Sequence, residues 1–152
     1  LVLTSCFIFL DSCSPCVSLF CKKESIFHFN FRTQRNPEFH LVDKNMSWSD
    51  AQKYCRENFL DLATVTNHGE NQQVQEKAQK EMAWIGLHRD PNIYWSDGSK
   101  HSFTNWASGM NPFGGLSVIC AALDGSGRWK MLSCEGPLPF VCYMAFKNIH
   151  TP

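Results

Sequence analysis

The cysteines constrain this chain more than any other feature of its sequence. Eight occur in 152 residues, and because cytosolic thiols are kept reduced, such density favours a secreted, disulfide-bonded protein. Four lie within the first 21 residues, and the others are spread along the remainder: Cys55, Cys120, Cys134 and Cys142. We therefore expect a disulfide-bonded domain. Four cysteines allow three pairings, and the cysteine count alone does not choose between them.

Residues 1–21 are interpreted as a signal-peptide-like leader. The stretch "LVLTSCFIFL" is apolar, and Asp11 and the small residues of "SCSPC" follow it, which is typical of a secretory signal. An uncleaved membrane anchor is the rival interpretation, but it would need about 20 apolar residues. An artefactual or disordered leader is the third. Cys13 and Cys16 have CxxC spacing, yet no second CxxC follows, so a redox or zinc role is not favoured.

The remaining chain is long enough for one domain with a sizeable core. We expect a poorly ordered linker over 22–37, the domain over 38–143 and a short tail over 144–152. The patterns predict helices over 47–59 and 67–80, capped by Ser47 and Asn67. They predict short strands at these ranges: 38–42, 60–65, 83–87, 93–95, 118–123, 128–132 and 139–144. Two early helices followed by short strands indicate an α+β fold.

Four segments in a fixed order resemble the C-type lectin domain. They are "WSDAQKYC", "WIGL", "WSDGSKHSFTNW" and the closing set of Cys120, Trp129, Cys134 and Cys142. The resemblance covers about residues 38–143 and implies two helices, short antiparallel sheets and two disulfides. It implies the pairs Cys55–Cys142 and Cys120–Cys134, in the short form of the domain without an extra amino-terminal bridge.

Many members of that family bind sugars through a calcium ion, which takes six to eight oxygen ligands. The resemblance places five side-chain ligand positions in this chain, at Met110, Pro112, Val118, Lys130 and Met131. None of these residues offers a carboxylate or amide oxygen, although a shifted loop alignment could recruit Asn111. We therefore expect no sugar-coordinating calcium site and no cofactor. A remote calcium site elsewhere in the fold stays open, without assigned ligands.

The same region carries apolar side chains that could form a binding surface. Its members are Met110, Asn111, Phe113, Leu116, Lys130 and Met131. Exposed apolar patches often mark partner sites, whereas in the plainer interpretation Phe113 and Leu116 only pack the loop down. The expected function is extracellular recognition of a protein or a directly contacted glycan. The alternatives are an ordinary carbohydrate-binding C-type lectin and a structural or ice-binding member of the family.

Other classes of function find little support in the sequence. The chain has 14 basic and 14 acidic residues, so its net charge does not attract nucleic acid or anionic membrane. A membrane partner is expected only if the leader is an uncleaved anchor. No nucleophile or phosphate-loop motif is present, so we do not expect an enzyme. Asn45-Met46-Ser47 is an N-glycosylation sequon, or else simply the approach to a helix that Ser47 caps.

Overall fold

The computed structural model describes residues 37–110 and 118–145. It contains two helices and seven strands: β1 (Pro37–Met46), α1 (Trp48–Asn58), β2 (Asp61–Leu62), α2 (His68–Lys77), β3 (Ala83–Arg89), β4 (Ile93–Trp95), β5 (Ile119–Leu123), β6 (Trp129–Leu132) and β7 (Leu138–Ala145). The predicted α+β class is confirmed. The expected leader lies outside the described residues, as do residues 22–36 of the expected linker and 146–152 of the expected tail.

The strands form one mixed sheet. Its order is β1-β7-β3-β5-β6, with β2 paired to β7 and β4 paired to β3. All pairs are antiparallel except β3 with β7, which run parallel where Trp84 meets Phe140. The patterns predicted short strands and the family resemblance implied antiparallel sheets, but neither carried a signal for this one parallel contact. It arises because the last strand returns through the middle of the sheet, between the first strand and the third.

A helix packs on each face of the sheet, so the core has two parts. The α1-side core is built around Trp48, Ala51 and Cys55 of α1, and the α2-side core around Val74 of α2 and the following Ala78. Consecutive strand residues point to opposite faces, and β3 accordingly sends Trp84 to the first core and Ile85 to the second.

Both predicted helix caps are confirmed. The Ser47 hydroxyl accepts from the backbone N–H of Asp50 at 3.3 Å, and the Asn67 side-chain oxygen accepts from that of Glu70 at 2.9 Å. Each cap satisfies a donor that the first helical turn leaves unpaired. The prediction was wrong at the end of the second helix. Helix α2 ends at Lys77, and Gln79 and Lys80 have positive φ angles of 53° and 67°.

The predicted strand over 60–65 is much shorter in the structure, because this segment changes partner. Leu60 and Ala63 donate their N–H groups to β7, while the carbonyl of Ala63 accepts from the N–H of Gly86 on β3 at 2.9 Å. The segment therefore crosses between two strands instead of following one. Gly86 permits this approach, because a Cβ there would lie 3.1 Å from the carbonyl oxygen of Leu62.

Both expected disulfides are present. Cys55–Cys142 joins α1 to β7 across 87 residues, and Cys120–Cys134 joins β5 to the segment after β6 across 14 residues. In the chain-entropy view these bridges stabilise the fold by about 4–5 and about 3 kcal/mol. The longer bridge links the beginning and the end of the domain, and the shorter one fixes the base of the β5–β6 hairpin.

Asn71 is a buried polar residue that the helical pattern did not reveal. It lies on α2 with 2% of its surface exposed. Its side-chain oxygen accepts from the Trp129 indole N–H at 2.7 Å, and its amide group donates to the carbonyl of Gly127 at 3.0 Å. One side chain thus ties helix α2 to both the turn and the first residue of β6.

We expect Asn71→Leu to lower the free energy of unfolding by about 1–3 kcal/mol, because it leaves the buried Trp129 N–H without an acceptor. The matched control is Gln72→Leu at the next, exposed position of the same helix, which should change stability little. Urea denaturation followed by tryptophan fluorescence measures both variants. Equal midpoints for the two would show that the Asn71 contacts do not stabilise the fold.

Candidate functional site

The β5–β6 hairpin and the loop that lies against it form the candidate site. A carboxylate organises the hairpin turn: the Asp124 Oδ1 atom accepts from the Ser126 hydroxyl at 2.6 Å and from the N–H groups of Ser126 and Arg128 at 2.9 and 3.1 Å. Gly127 closes the turn with a φ of +79°, a backbone conformation that side chains rarely adopt. The turn therefore has a single, well-fixed shape.

The loop after β4 is anchored to the start of β6. The backbone N–H of Trp129 donates to the carbonyl of Asn105 at 2.9 Å, and its carbonyl accepts from Ala107 at the same distance. The Asn105 side chain donates to the Gly127 carbonyl at 2.7 Å and accepts from Arg128 at 2.9 Å. These bonds hold the loop against the hairpin up to Met110, whose N–H donates to Ala107 at 3.1 Å.

Lys130 and Met131 point to opposite faces of β6. The Lys130 Nζ atom lies 3.1 Å from the second carboxylate oxygen of Asp124, and 37% of the lysine side chain is exposed. Met131 is half-buried and packs against the α2-side core. The two residues that replace the expected ligand pair therefore differ in role, because one forms an ion pair at the surface and the other fills space beside the core.

Hydrogen bonding controls the charge of Asp124. Partial burial pushes the pKa of this carboxyl up, but hydrogen bonds from the Ser126 hydroxyl, Lys130 and two backbone N–H groups outweigh burial and lower the pKa to about 2. Asp124 is therefore ionised at neutral pH and holds the Lys130 ammonium in place. At the surface of β6 the two opposite charges therefore form an ion pair.

Four of the five positions where the family resemblance implies calcium ligands fall within the described residues. They are Met110, Val118, Lys130 and Met131, and their side chains offer no oxygen. Within 37–110 and 118–145, no group of three or more His, Cys, Asp or Glu side chains is placed to hold a metal ion. The fifth position, Pro112, lies outside the described part of the chain. So do three members of the predicted binding surface: Asn111, Phe113 and Leu116.

Two exposed apolar side chains stand on one face of the sheet next to the hairpin. Val118 is 54% exposed and Tyr94 is 36% exposed. Tyr94 lies opposite His88, which lies opposite Cys120, so Tyr94 and Val118 share the face of the Cys120–Cys134 bridge. Tyr94 was missing from the predicted surface. The alternation in "IYW", where Trp95 is buried, carried the signal that would have placed it outside.

A disulfide-bonded α+β domain with a hairpin and a long loop at one end of its sheet is the architecture of a lectin-type binding domain. The comparisons agree, because the Lectin C-type domain matches residues 44–144. The chain belongs to the C-type lectin domain family. Among the residues that the structure describes, no helix has the length and apolar character to cross a membrane.

Three similar proteins illustrate the relationship. The secretory phospholipase A2 receptor of Bos taurus is 34% identical over 108 residues, which is 68% of this chain and 7% of the receptor. Proteoglycan 3 of Mus musculus is 32% identical over 130 residues, which is 80% of this chain and 58% of that protein. The chain thus spans less than two thirds of either relative. Human lithostathine aligns with a TM-score of 0.62 at 28% identity, covering 75% of this chain and 87% of that one.

The ion pair leads to a pH prediction. The folded-state pKa of Asp124 lies below its ordinary value of 3.8. Its contribution to the free energy of unfolding is therefore complete above about pH 4 and is lost as the pH falls through about 2. We expect Asp124→Asn to lower the free energy of unfolding by about 1 kcal/mol at pH 7. The difference from wild type should fall toward zero near pH 2. Chemical denaturation at both pH values measures it, with Asp43→Asn on the exposed part of β1 as control. A deficit that is unchanged at low pH would contradict the assignment.

Proposed function

We propose that this chain is an extracellular recognition module that holds a protein or glycan ligand by direct contacts, without a bridging calcium ion. The ion pair between Lys130 and Asp124 is the observation that carries the proposal. It supplies a fixed positive charge at one of the positions where the family's calcium-binding members place an oxygen ligand. A divalent cation at this position would have to displace the Lys130 ammonium from the Asp124 carboxylate.

The neighbouring side chains support the same conclusion. Calcium requires six to eight oxygen ligands, whereas the side chains of Met110, Val118 and Met131 supply none. Moving Met131 aside to admit water would also uncover part of the α2-side core against which it packs. The surface is therefore better suited to contacts with a ligand than to coordination of an ion.

The exposed groups on the same surface suit direct binding. Val118 and Tyr94 present apolar area, and tyrosine is enriched at binding interfaces because it combines a large ring with a hydroxyl. Lys130 adds a partly exposed cation. The loop residues Asn111, Phe113 and Leu116 remain predicted members of this surface. Two disulfides support an oxidising, extracellular setting.

An array of glycans and receptor ectodomains, probed once with calcium and once with chelator, tests the ligand class directly. We expect binding that is equal under both conditions. Isothermal titration with mannose or galactose in calcium is the complementary measurement. A calcium-dependent sugar signal would instead identify an ordinary carbohydrate-binding C-type lectin.

Calcium binding has its own thermodynamic signature. A ligand that binds only the folded state raises the melting temperature, and the rise grows with the logarithm of ligand concentration above the dissociation constant. Because we propose that this domain binds no calcium, we expect the same melting temperature in calcium and in chelator. Differential scanning fluorimetry makes this comparison. A reproducible rise with calcium would contradict the absence of a site in the folded domain.

Variants locate the binding surface once the array provides a bound probe. We expect Val118→Asp and Lys130→Glu each to weaken binding of that probe at least tenfold, which corresponds to about 1.4 kcal/mol. Lys77→Glu makes the same charge change on the exposed surface of α2 and should leave binding unchanged. Equal effects of Lys130→Glu and Lys77→Glu would place the ligand elsewhere.

A further inference from the structure

Asn45 stands on a part of the chain that is open to modification. It lies near the end of β1, where the register with β7 shifts between Val42 and Met46, so residues 43–45 are not matched to partner residues. Its side chain is exposed. Within 37–110 and 118–145, no hydrogen bond from another residue holds that side chain. The amide of Asn45 can therefore carry a large substituent without displacing neighbouring groups.

The backbone that follows Asn45 is firmly held. The Met46 carbonyl accepts from the Trp84 indole N–H at 3.0 Å, and the Trp48 N–H donates to the Cys134 carbonyl at 2.8 Å. Ser47, the third residue of the sequon, caps α1 through its hydroxyl. Loss of the Asn45 side chain therefore leaves the fold intact, whereas loss of the Ser47 hydroxyl also removes a helix cap.

The 152-residue sequence contains no second N-glycosylation sequon. No other asparagine in the 152 residues is followed by any residue but proline and then by serine or threonine. The two disulfides support passage through an oxidising compartment, which in eukaryotic cells is the one where such sequons are modified.

We propose that Asn45 carries an N-linked glycan and that this glycan shields the outer edge of β1. In the transfer, the Asn45 amide nitrogen bonds to the anomeric carbon of a lipid-linked oligosaccharide. The bond from that carbon to the pyrophosphate breaks, the lipid pyrophosphate departs, and the amide nitrogen loses one proton. No additional oxidant or reductant is required.

The position of β1 in the sheet gives the glycan a role. β1 is the first strand in the sheet order and, among the described strands, pairs only with β7. An unpaired strand edge is a template for association with another chain, and proteins commonly cover or charge such edges. β1 has charged Asp43 and Lys44 next to Asn45, all of them exposed. A hydrated oligosaccharide at Asn45 would sterically block a second strand from pairing with this edge.

The modification is tested on the full chain directed into the secretory pathway of mammalian cells. We expect a mobility shift that peptide N-glycosidase F removes, with conversion of the asparagine to aspartate at position 45 seen by mass spectrometry. Ser47→Thr preserves both the sequon and the cap and should remain shifted, whereas Asn45→Gln should not. Lumenal protein that is protected from added protease, has both disulfides formed and carries no glycan would overturn the proposal.

The shielding role needs a relocated glycan as its control. Tyr94→Thr creates a new sequon at the exposed Asn92 on the loop before β4, so Asn45→Gln/Tyr94→Thr carries a glycan away from β1. We expect wild type to remain monomeric by light scattering, with both Asn45→Gln variants associating at the same concentration. Equal monomer content in all three would overturn the shielding role. If only Asn45→Gln associates, the glycan acts as a general solubiliser, and edge protection is refuted.

Discussion

The hydrogen bond from the Trp129 indole to Asn71 is the contact on which the functional end of this domain depends. The indole is fully buried. The rings of Trp95, Phe103 and Trp106 stand nearly perpendicular to it at centroid distances of 5.5, 5.7 and 5.5 Å. A buried indole N–H without an acceptor would be costly, and Asn71 removes that cost. Trp129 can therefore provide a shared packing contact for helix α2, the β5–β6 hairpin and the long loop.

The backbone of the same tryptophan fixes the position of the candidate site. Its N–H and carbonyl bind the loop at Asn105 and Ala107, and Lys130 follows directly on β6. The strand presents positions 130 and 131 at the same place whatever their side chains are, because the residues before them fix the backbone. This separation lets a fold change its ligand chemistry without changing its architecture, since function lies in the site and not in the fold.

The family resemblance made a large part of this site predictable. It gave the cysteine pairs, and the capping pattern gave the two helix caps. Three features could not be recognised in linear order. Asn71 is an ordinary helix residue until Trp129 lies beside it, Tyr94 becomes part of a surface only through its strand register, and the partner of Lys130 is known only once the turn at Asp124 has formed. The end of α2 was also missed, because Gln79 and Lys80 are not residue types that mark a helix stop.

The sequence by itself determined the α+β class, because the periods of its apolar residues indicate two early helices followed by short strands. It also carried the family resemblance, which implied the cysteine pairs that the structure contains. Only the tertiary structure decided that Lys130 is bound to a carboxylate and that Met131 packs against the core. Adjacent strand residues point to opposite faces, and what each one meets there depends on segments distant in the chain.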